Sequence, residues 1–409
     1  MRPIAERKQE NSRVLREDFA QGRETFRARP EIVSLHTTER CNLRCIMCPR
    51  SERVGRSALA RDVLRRVCEE LFPTARKAIV TGHQGEPMLS DFDVVVDAAL
   101  RHDVRLDLVT NGTLLTGERY ANLAPALGHL NVSIDSHQPE VYERIRAGGR
   151  FEHLQRNLRE ISALRRSAAT PPLWTLSAVV MRSNFDHLGG FIGFAADLGA
   201  DAVVLQPMRQ YVRRLADEDV IGDGAADLHS GQGSGCPDPF HGRADARARL
   251  DARFDELRAV ARARHINLYF ADFQLPAVEV EPLRQQIDYL ADSSTMCWYL
   301  MRSVSIYDTG MVYPCCHPTD YSLGNVRKHD IQRIWNGPAM QRLRRAHFSR
   351  RGTLFCSGCL HAPYLETPKK SRLRDQVKFA RLVVNHVRHT WSRRRQAARA
   401  PAEPADRSE

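Results

Sequence analysis

The sequence predicts an α/β protein, a partial (β/α)6 barrel followed by a small cysteine-rich C-terminal domain and a basic helical tail. Three observations carry this. Six compact β-branched runs recur between residues 31 and 206, with helical patterns between them. Eight of the ten cysteines gather at 41–48 and 297–359. The last 44 residues carry twelve Lys/Arg against five Asp/Glu.

In chain order, residues 1–30 read as a polar helical lead-in. EIVSLHT, KAIVTG, VRLDLVT, HLNVSID, LWTLSAVVM and DAVVLQ then read as six strands within a core of residues 31–210. Helices are expected at SALARDVLRRVCEELF, DFDVVVDAALRH, FEHLQRNLREISALRR and DHLGGFIGFAADLGA. Such β–α alternation implies a parallel sheet with right-handed crossovers, and six units suit a partly closed barrel better than an eight-fold one. Residues 211–296 are expected to hold a mobile Gly/Asp/Ser-rich loop at 211–243, then a helix (ARARLDARFDELRAVARARH) and a strand (INLYFAD). The cysteine-rich domain spans 297–365 and the tail 366–409, which ends in a disordered segment.

Composition removes several classes of function. The N-terminus, MRPIAERKQENSRVLRED, is charged throughout and is no secretory signal. No run approaches the roughly 18 apolar residues of a membrane span. Clustered cysteines without an export signal argue for metal ligation in a reducing cytoplasm rather than for disulfides. More than half of the net charge of +12 sits in the tail, so nucleic-acid binding is not expected. Within the tail, Val377, Ala380, Val384, Val387 and Trp391 form one apolar helix face. It is expected to dock on the chain's own core, with a peripheral membrane contact or an acidic partner as the alternative.

The stretch HTTERCNLRCIMCPR places Cys41, Cys45 and Cys48 within eight positions, with no fourth cysteine nearby. Structural zinc takes four protein ligands, whereas an iron–sulfur cube held by three thiolates keeps one iron open for chemistry. Three further segments fall at strand ends: GHQGEPML with Gly85 and Glu86, TNGT with Asn111, and NVSIDS with Ser133 and Asp135. These are the C-terminal ends of parallel strands, where such folds build their sites. Gly85 allows close backbone approach, and Glu86 or neighbouring carbonyls suit a ligand's amine. Ser133 and Arg146 suit a ribose or a carboxylate. Asp135 caps the following helix or touches a ligand, while His36 and Cys68 read as structural.

Together, C-x3-C-x2-C, GEP, TNG and SID…RAGGRFEHLQRN resemble the radical S-adenosylmethionine (SAM) superfamily over roughly residues 31–210. The resemblance implies that Cys41, Cys45 and Cys48 hold a [4Fe–4S] cluster whose open iron is chelated by SAM. It implies reductive cleavage of SAM to a 5′-deoxyadenosyl radical, hydrogen abstraction from the substrate, and a flavodoxin- or ferredoxin-type reductant. Gly85, Glu86, Asn111, Ser133 and Arg146 are the implied SAM contacts. Met47 stands where the family commonly has an aromatic residue, and Gln84-Gly85-Glu86 replaces Gly-Gly-Glu.

A second set runs Cys297-x12-Gly310-x4-Cys315, then Cys356-x2-Cys359. Four thiolates suit zinc or a closed iron–sulfur cube equally by count. The spacing, with LGN…IW between the halves, resembles the SPASM/twitch subfamilies, which implies one auxiliary [4Fe–4S] cluster on Cys297, Cys315, Cys356 and Cys359. Cys316 is a spare neighbour and Cys236 reads as incidental. Short relatives of this type imply an oxidoreductase that oxidises a small polar metabolite, a sugar or aminocyclitol-like alcohol, with the auxiliary cluster accepting an electron. The thirty residues before the first strand leave no room for a separate peptide-recognition module, which favours the small molecule. A peptide-modifying maturase is the alternative, and a non-catalytic zinc or iron–sulfur protein the second.

Overall fold

The structure, a computed structural model, describes residues 3–48, 56–82, 85–208, 244–271, 277–281, 297–315, 321–351 and 356. The expected loop at 211–243 with Cys236, the positions of Cys316 and Cys359, and the basic tail lie outside the described residues.

All six expected strands are present as β1 (Ile32–His36), β2 (Lys77–Thr81), β3 (Arg105–Thr110), β4 (Leu127–Ser133), β5 (Leu173–Val180) and β6 (Ala202–Pro207). The expected later strand is β7 (Asn267–Phe270). Helix α1 (Ile4–Ala20) precedes β1, and α2 (Arg61–Leu71) and α3 (Phe92–His102) follow β1 and β2. Short helices α4 (Gly117–Leu123) and α5 (Pro139–Ile145) come before α6 (Phe151–Ser167). A one-turn α7 (Arg182–Phe185), α8 (Leu188–Leu198) and α9 (Ala244–Ala263) complete this part.

The cysteine-rich segment adds α10 (Trp298–Arg302), a hairpin of β8 (Ser303–Tyr307) and β9 (Met311–Tyr313), β10 (Gly324–Asn325), α11 (Ile331–Trp335) and α12 (Pro338–Phe348). Its first strand continues the core sheet: β8 lies parallel to β1 in the register Val33–Val304 and Leu35–Ile306. Among the described residues one ten-stranded sheet results, in the order β10-β9-β8-β1-β2-β3-β4-β5-β6-β7, parallel from β8 through to β7. β7 and β10 are its two edges, so the sheet does not close. The partial barrel is thus wider than the six units expected, because a strand from each side of the core joins it.

Alternation along the strands sorts the two faces. Val33, Leu35, Ala78, Val80, Leu106, Leu108, Leu130 and Val132 enter the main hydrophobic core. There they meet Leu64, Val67, Cys68 and Leu71 of α2, whose three- and four-residue spacing is one helix stripe. Burying each such Leu or Val stabilises the fold by roughly 1.5–3 kcal/mol. The opposite face carries Ser34, His36, Asp107, His129, Asn131, Thr175, Ser177 and Ser305, all buried. Period two places them on the side away from the helix-packed core, so their burial comes from the sheet curling over itself. This face of the sheet is therefore a buried polar one.

The N-terminal segment does more than lead in. Asp18, with no exposed surface, accepts from the backbone N–H of Arg27 at 2.6 Å and Ala28 at 3.0 Å. That bend sends Phe26 and Ala28 to the C-terminal helices, where the Trp335 indole donates to Ala28 O at 3.0 Å and Asn336 to Phe26 O at 2.8 Å. Gly310 turns β8 into β9 at φ +81°, a conformation favouring glycine, and a Cβ there would stand 2.7 Å from Asn325 Oδ1. This accounts for the glycine within the C-x12-G-x4-C spacing. Cys68, in the α2 stripe, is fully buried, and burial pushes its thiol up to about 12, as suits a core thiol. Among the described residues no helix is long and apolar enough to cross a membrane.

Candidate active site

The three-cysteine loop leaves the C-terminal end of β1 and is sewn down on both sides. On one side Glu39 N–H donates to Ser57 O at 2.9 Å, and Leu59 N–H to Thr37 O at 3.0 Å. On the other, Arg44 N–H reaches Ala147 O at 2.7 Å and Ile46 N–H reaches Ile145 O at 2.9 Å, at the end of α5. Cys45 is buried, and Cys41 and Cys48 are half-buried. Cys48 N–H closes the loop onto Cys45 O at 3.1 Å. Among the described residues no group of three or more His, Cys, Asp or Glu is placed to hold a metal ion.

The GEP turn after β2 is pressed against this loop. Glu86 N–H donates to Arg40 O at 2.7 Å. A Cβ on Gly85 would stand 2.2 Å from Thr38 O and 2.8 Å from Arg40 O, so only glycine allows the approach. The Glu86 carboxylate, 1% exposed, accepts from Thr110 Oγ1 at 2.7 Å, Asn111 N–H at 2.8 Å and Met88 N–H at 3.2 Å. Burial pushes its pKa up, while the Asn111 N–H and the Thr110 hydroxyl pull it down. Glu86 thus ties the ends of β2 and β3 together and points its oxygens into the protein. Glu86→Gln places an amide N–H against the Asn111 N–H. It is expected to lower unfolding stability by about 2 kcal/mol, read as a lower urea midpoint at unchanged slope.

Asn111 faces the cysteine loop directly. Its amide donates to Asn42 Oδ1 at 3.0 Å and lies 3.9 Å from Cys41 Sγ, while its oxygen accepts from Thr113 N–H at 2.9 Å. The turn is held from beneath by Asn157 of α6, which donates to Gly112 O at 3.0 Å and Thr113 O at 3.1 Å. Sequence reading passed over Asn157, although a polar residue inside the buried stripe Leu154, Asn157, Leu158, Ile161 was the available signal.

Ser133 ends β4 half-buried, with Ser177 Oγ of β5 donating to its hydroxyl at 3.3 Å. Two positions on, Asp135 has no exposed surface and a φ of +71°, a strained conformation that Asp tolerates better than most residues. It accepts from Arg146 Nε at 2.5 Å and from Val179 N–H at 2.8 Å, while Asn184 donates to its carbonyl at 2.8 Å. Arg146 in turn points Nη1 at Cys45 Sγ, 3.6 Å away. Burial works against the Arg146 charge, but Asp135 and Cys45 outweigh it and hold its pKa above the usual value. For Cys45 burial dominates and raises the thiol pKa, against the pull of Arg146. The structure therefore joins Arg146 to Asp135 and Cys45, and Asp135 proves to be its anchor rather than a helix cap.

Around the loop's third cysteine, Ile46 and Met47 pack against Ile145, Met181 and Met208 from α5 and the ends of β5 and β6. This leaves an apolar wall beside the thiols, on the side suited to a flat ring. His36 stacks on Tyr307 of β8 at 4.0 Å, and Tyr307 meets Tyr313 edge-on at 4.9 Å. Three cysteine sulfurs, with a cation beside Cys45 and N–H donors beside Cys41, suit a thiophilic cluster better than a hard metal ion.

In the second set, Cys297 caps the start of α10 and is buried, and Cys315 follows β9 half-buried. Cys356 is buried 3.4 Å from His347 Nε2 on α12. Burial lowers His347 to about 4, so its imidazole is neutral at pH 7.

Comparison with known proteins agrees with this geometry. The family model described as the radical SAM superfamily matches residues 35–184, and an iron–sulfur cluster-binding domain of the SPASM type matches residues 297–360. A probable GTP 3′,8-cyclase of Methanococcus maripaludis is 28% identical over 188 residues, covering 44% of this chain and 60% of that one. A PqqA peptide cyclase of Streptomyces rochei is 30% identical over 207 residues, covering 49% of this chain and 54% of that one. The matched stretch thus spans little more than half the length of either relative. In overall fold the chain is similar to Streptococcus suis SuiB bound to its precursor peptide SuiA. The TM-score is 0.55 at 15% identity, over 82% of this chain and 71% of that one.

Proposed function

We infer that this chain is a radical SAM enzyme with a SPASM-type iron–sulfur segment, and with [4Fe–4S] clusters and SAM as its cofactors. From that premise we propose that it is a maturase, an enzyme that modifies a peptide or protein substrate. The observation that carries the enzymatic reading is the Asp135–Arg146–Cys45 chain. It sets an anchored cation against a thiol of the cysteine loop, beyond the C-terminal end of β4. The choice of a peptide is supported by likeness to the PqqA peptide cyclase and by a fold like that of SuiB, which holds a precursor peptide. The small alcohol expected from the sequence has no comparable support, and the peptide alternative takes its place.

In this reading Cys41, Cys45 and Cys48 ligate one cluster, and Cys297, Cys315, Cys356 and Cys359 an auxiliary one. A cluster and SAM bound there would supply radical chemistry able to take a hydrogen atom from an unactivated carbon. The chain's own residues orient that chemistry. Gly85 lets its turn press against the Thr38–Arg40 backbone, a packing no larger residue permits, and so seats that turn beside the cysteine loop for the SAM amine and carboxylate. Glu86 positions the Gly85 and Asn111 turns rather than meeting the ligand itself, because its oxygens already accept three protein donors. Ser133 stands at the rim for the ribose, and Met47 and Met181 form the wall for the adenine. Arg146 stays fixed by Asp135 and keeps its positive charge beside a ligating sulfur.

The test is anaerobic turnover of SAM by the reconstituted chain with peptides translated from short reading frames beside its gene. The expected result is 5′-deoxyadenosine formed together with a mass change in one peptide. Turnover stimulated by aminocyclitol or sugar alcohols and by none of the peptides would return the substrate to the small-molecule class.

A further inference from the structure

Helix α12 is among the most firmly seated elements of the cysteine-rich segment. Met340 and Leu343 are buried in the main core. Arg344, fully buried, lies over the rings of Phe26 at 3.8 Å and Trp335 at 4.3 Å, and donates to Glu24 O at 2.9 Å and Asn336 Oδ1 at 3.0 Å. One turn on, His347 is 1% exposed, and its Nε2 stands 3.4 Å from Cys356 Sγ. A ring buried on a helix fixed by the N-terminal segment has little freedom to turn away from that sulfur.

A thiolate ligating iron is an acceptor only, so the contact is satisfied by an N–H on Nε2. Hydrogen bonds to ligand sulfurs draw electron density from a cluster and favour its reduced form. We propose that His347 is a positioning residue that donates to Cys356 and sets the reduction potential of the auxiliary cluster. The inference rests on the reading of Cys356 as one of that cluster's ligands. His347 thereby poises the auxiliary cluster to take up one electron, and its effect passes entirely through the Cys356 sulfur.

The experiment uses the full chain with Cys41, Cys45 and Cys48 replaced by alanine, so that the auxiliary cluster alone is reconstituted. Iron is counted first with His347 intact. A chain without iron at that stage overturns the ligand reading before His347 is touched. Redox titration followed by electron paramagnetic resonance then compares His347→Phe and His347→Gln in that background. The expected result is retained iron in both and a midpoint moved to more negative potential in His347→Phe. At a fixed ambient potential its reduced-to-oxidised ratio should fall about tenfold, or ~59 mV for a one-electron couple. His347→Gln, whose amide can still donate, should recover part of the shift. An unchanged midpoint in His347→Phe with iron retained overturns the proposal. Loss of iron in both variants overturns it too, because His347 would then be needed to hold the cluster.

Discussion

With Cys41, Cys45 and Cys48 all replaced by alanine, the reconstituted chain is expected to keep about half its iron and to release no 5′-deoxyadenosine. Two [4Fe–4S] clusters give about eight irons, and each cysteine set accounts for about four. The complementary Cys356→Ala, Cys359→Ala chain should also fall to about four irons, yet still cleave SAM. The asymmetry follows from ligand count. Three thiolates leave one iron exchangeable for SAM, whereas four close the second cluster. Cys68 lies outside both sets, fully buried in the core stripe of α2. Full iron in the triple variant, measured against protein by quantitative amino-acid analysis, would contradict the assignment.

The second large effect is expected at Asp135. Replacing it by alanine leaves Arg146, with a side chain 11% exposed, as a buried charge without its carboxylate. Breaking a buried pair in this way costs about 3–5 kcal/mol. Alanine also loses the bond from Val179 N–H and must sit at a φ of +71°, which Asp tolerates better. Asp135→Asn keeps the turn and can still accept one hydrogen bond, so its loss should be smaller, about 2 kcal/mol. Chemical denaturation of the metal-free chains measures both, and SAM cleavage by the reconstituted chains should fall in the same order. Equal stability of Asp135→Ala and wild type would remove the anchor from the account.

Much of this was legible before the fold was seen. The six core strands and the four long helices between them were readable because each is a local pattern, a β-branched run or an amphipathic stripe, that needs no distant partner to be recognised. Gly85 and Asn111 were readable as turn residues at strand ends. What the sequence did not display is pairing across long separations. Nothing local says that SVSIY at 303–307 lies against IVSLH at 32–36, and the segment expected as a following domain instead widens the core sheet. Likewise Arg146 could be placed near the rim, but not against Asp135, since an 11-residue separation through α5 fixes that contact only in three dimensions. The bonds from Thr110 and Asn111 to Glu86 were not legible either, because a carboxylate beside a glycine turn looks the same in sequence whether it serves ligand or backbone.

The seating of β1 has a consequence for how the chain is made. β1 lies inside the sheet, yet its second neighbour, β8, is translated some 270 positions later, as the Glu31–Arg302 separation of 271 shows. Until β8 emerges from the ribosome, β1 is an edge strand with an unpaired row of backbone groups beside Leu35 and Val33. The contacts of Phe26 with Asn336, 310 residues apart, wait equally long. Chain closure over such a span adds little to the equilibrium cost, because each doubling of loop length adds only about 0.6 kcal/mol. It does lengthen the interval in which a nascent chain exposes a sticky edge and the thiols of Cys41, Cys45 and Cys48. Production of the intact protein should therefore depend on chaperone supply and on slow synthesis more than its final stability would suggest.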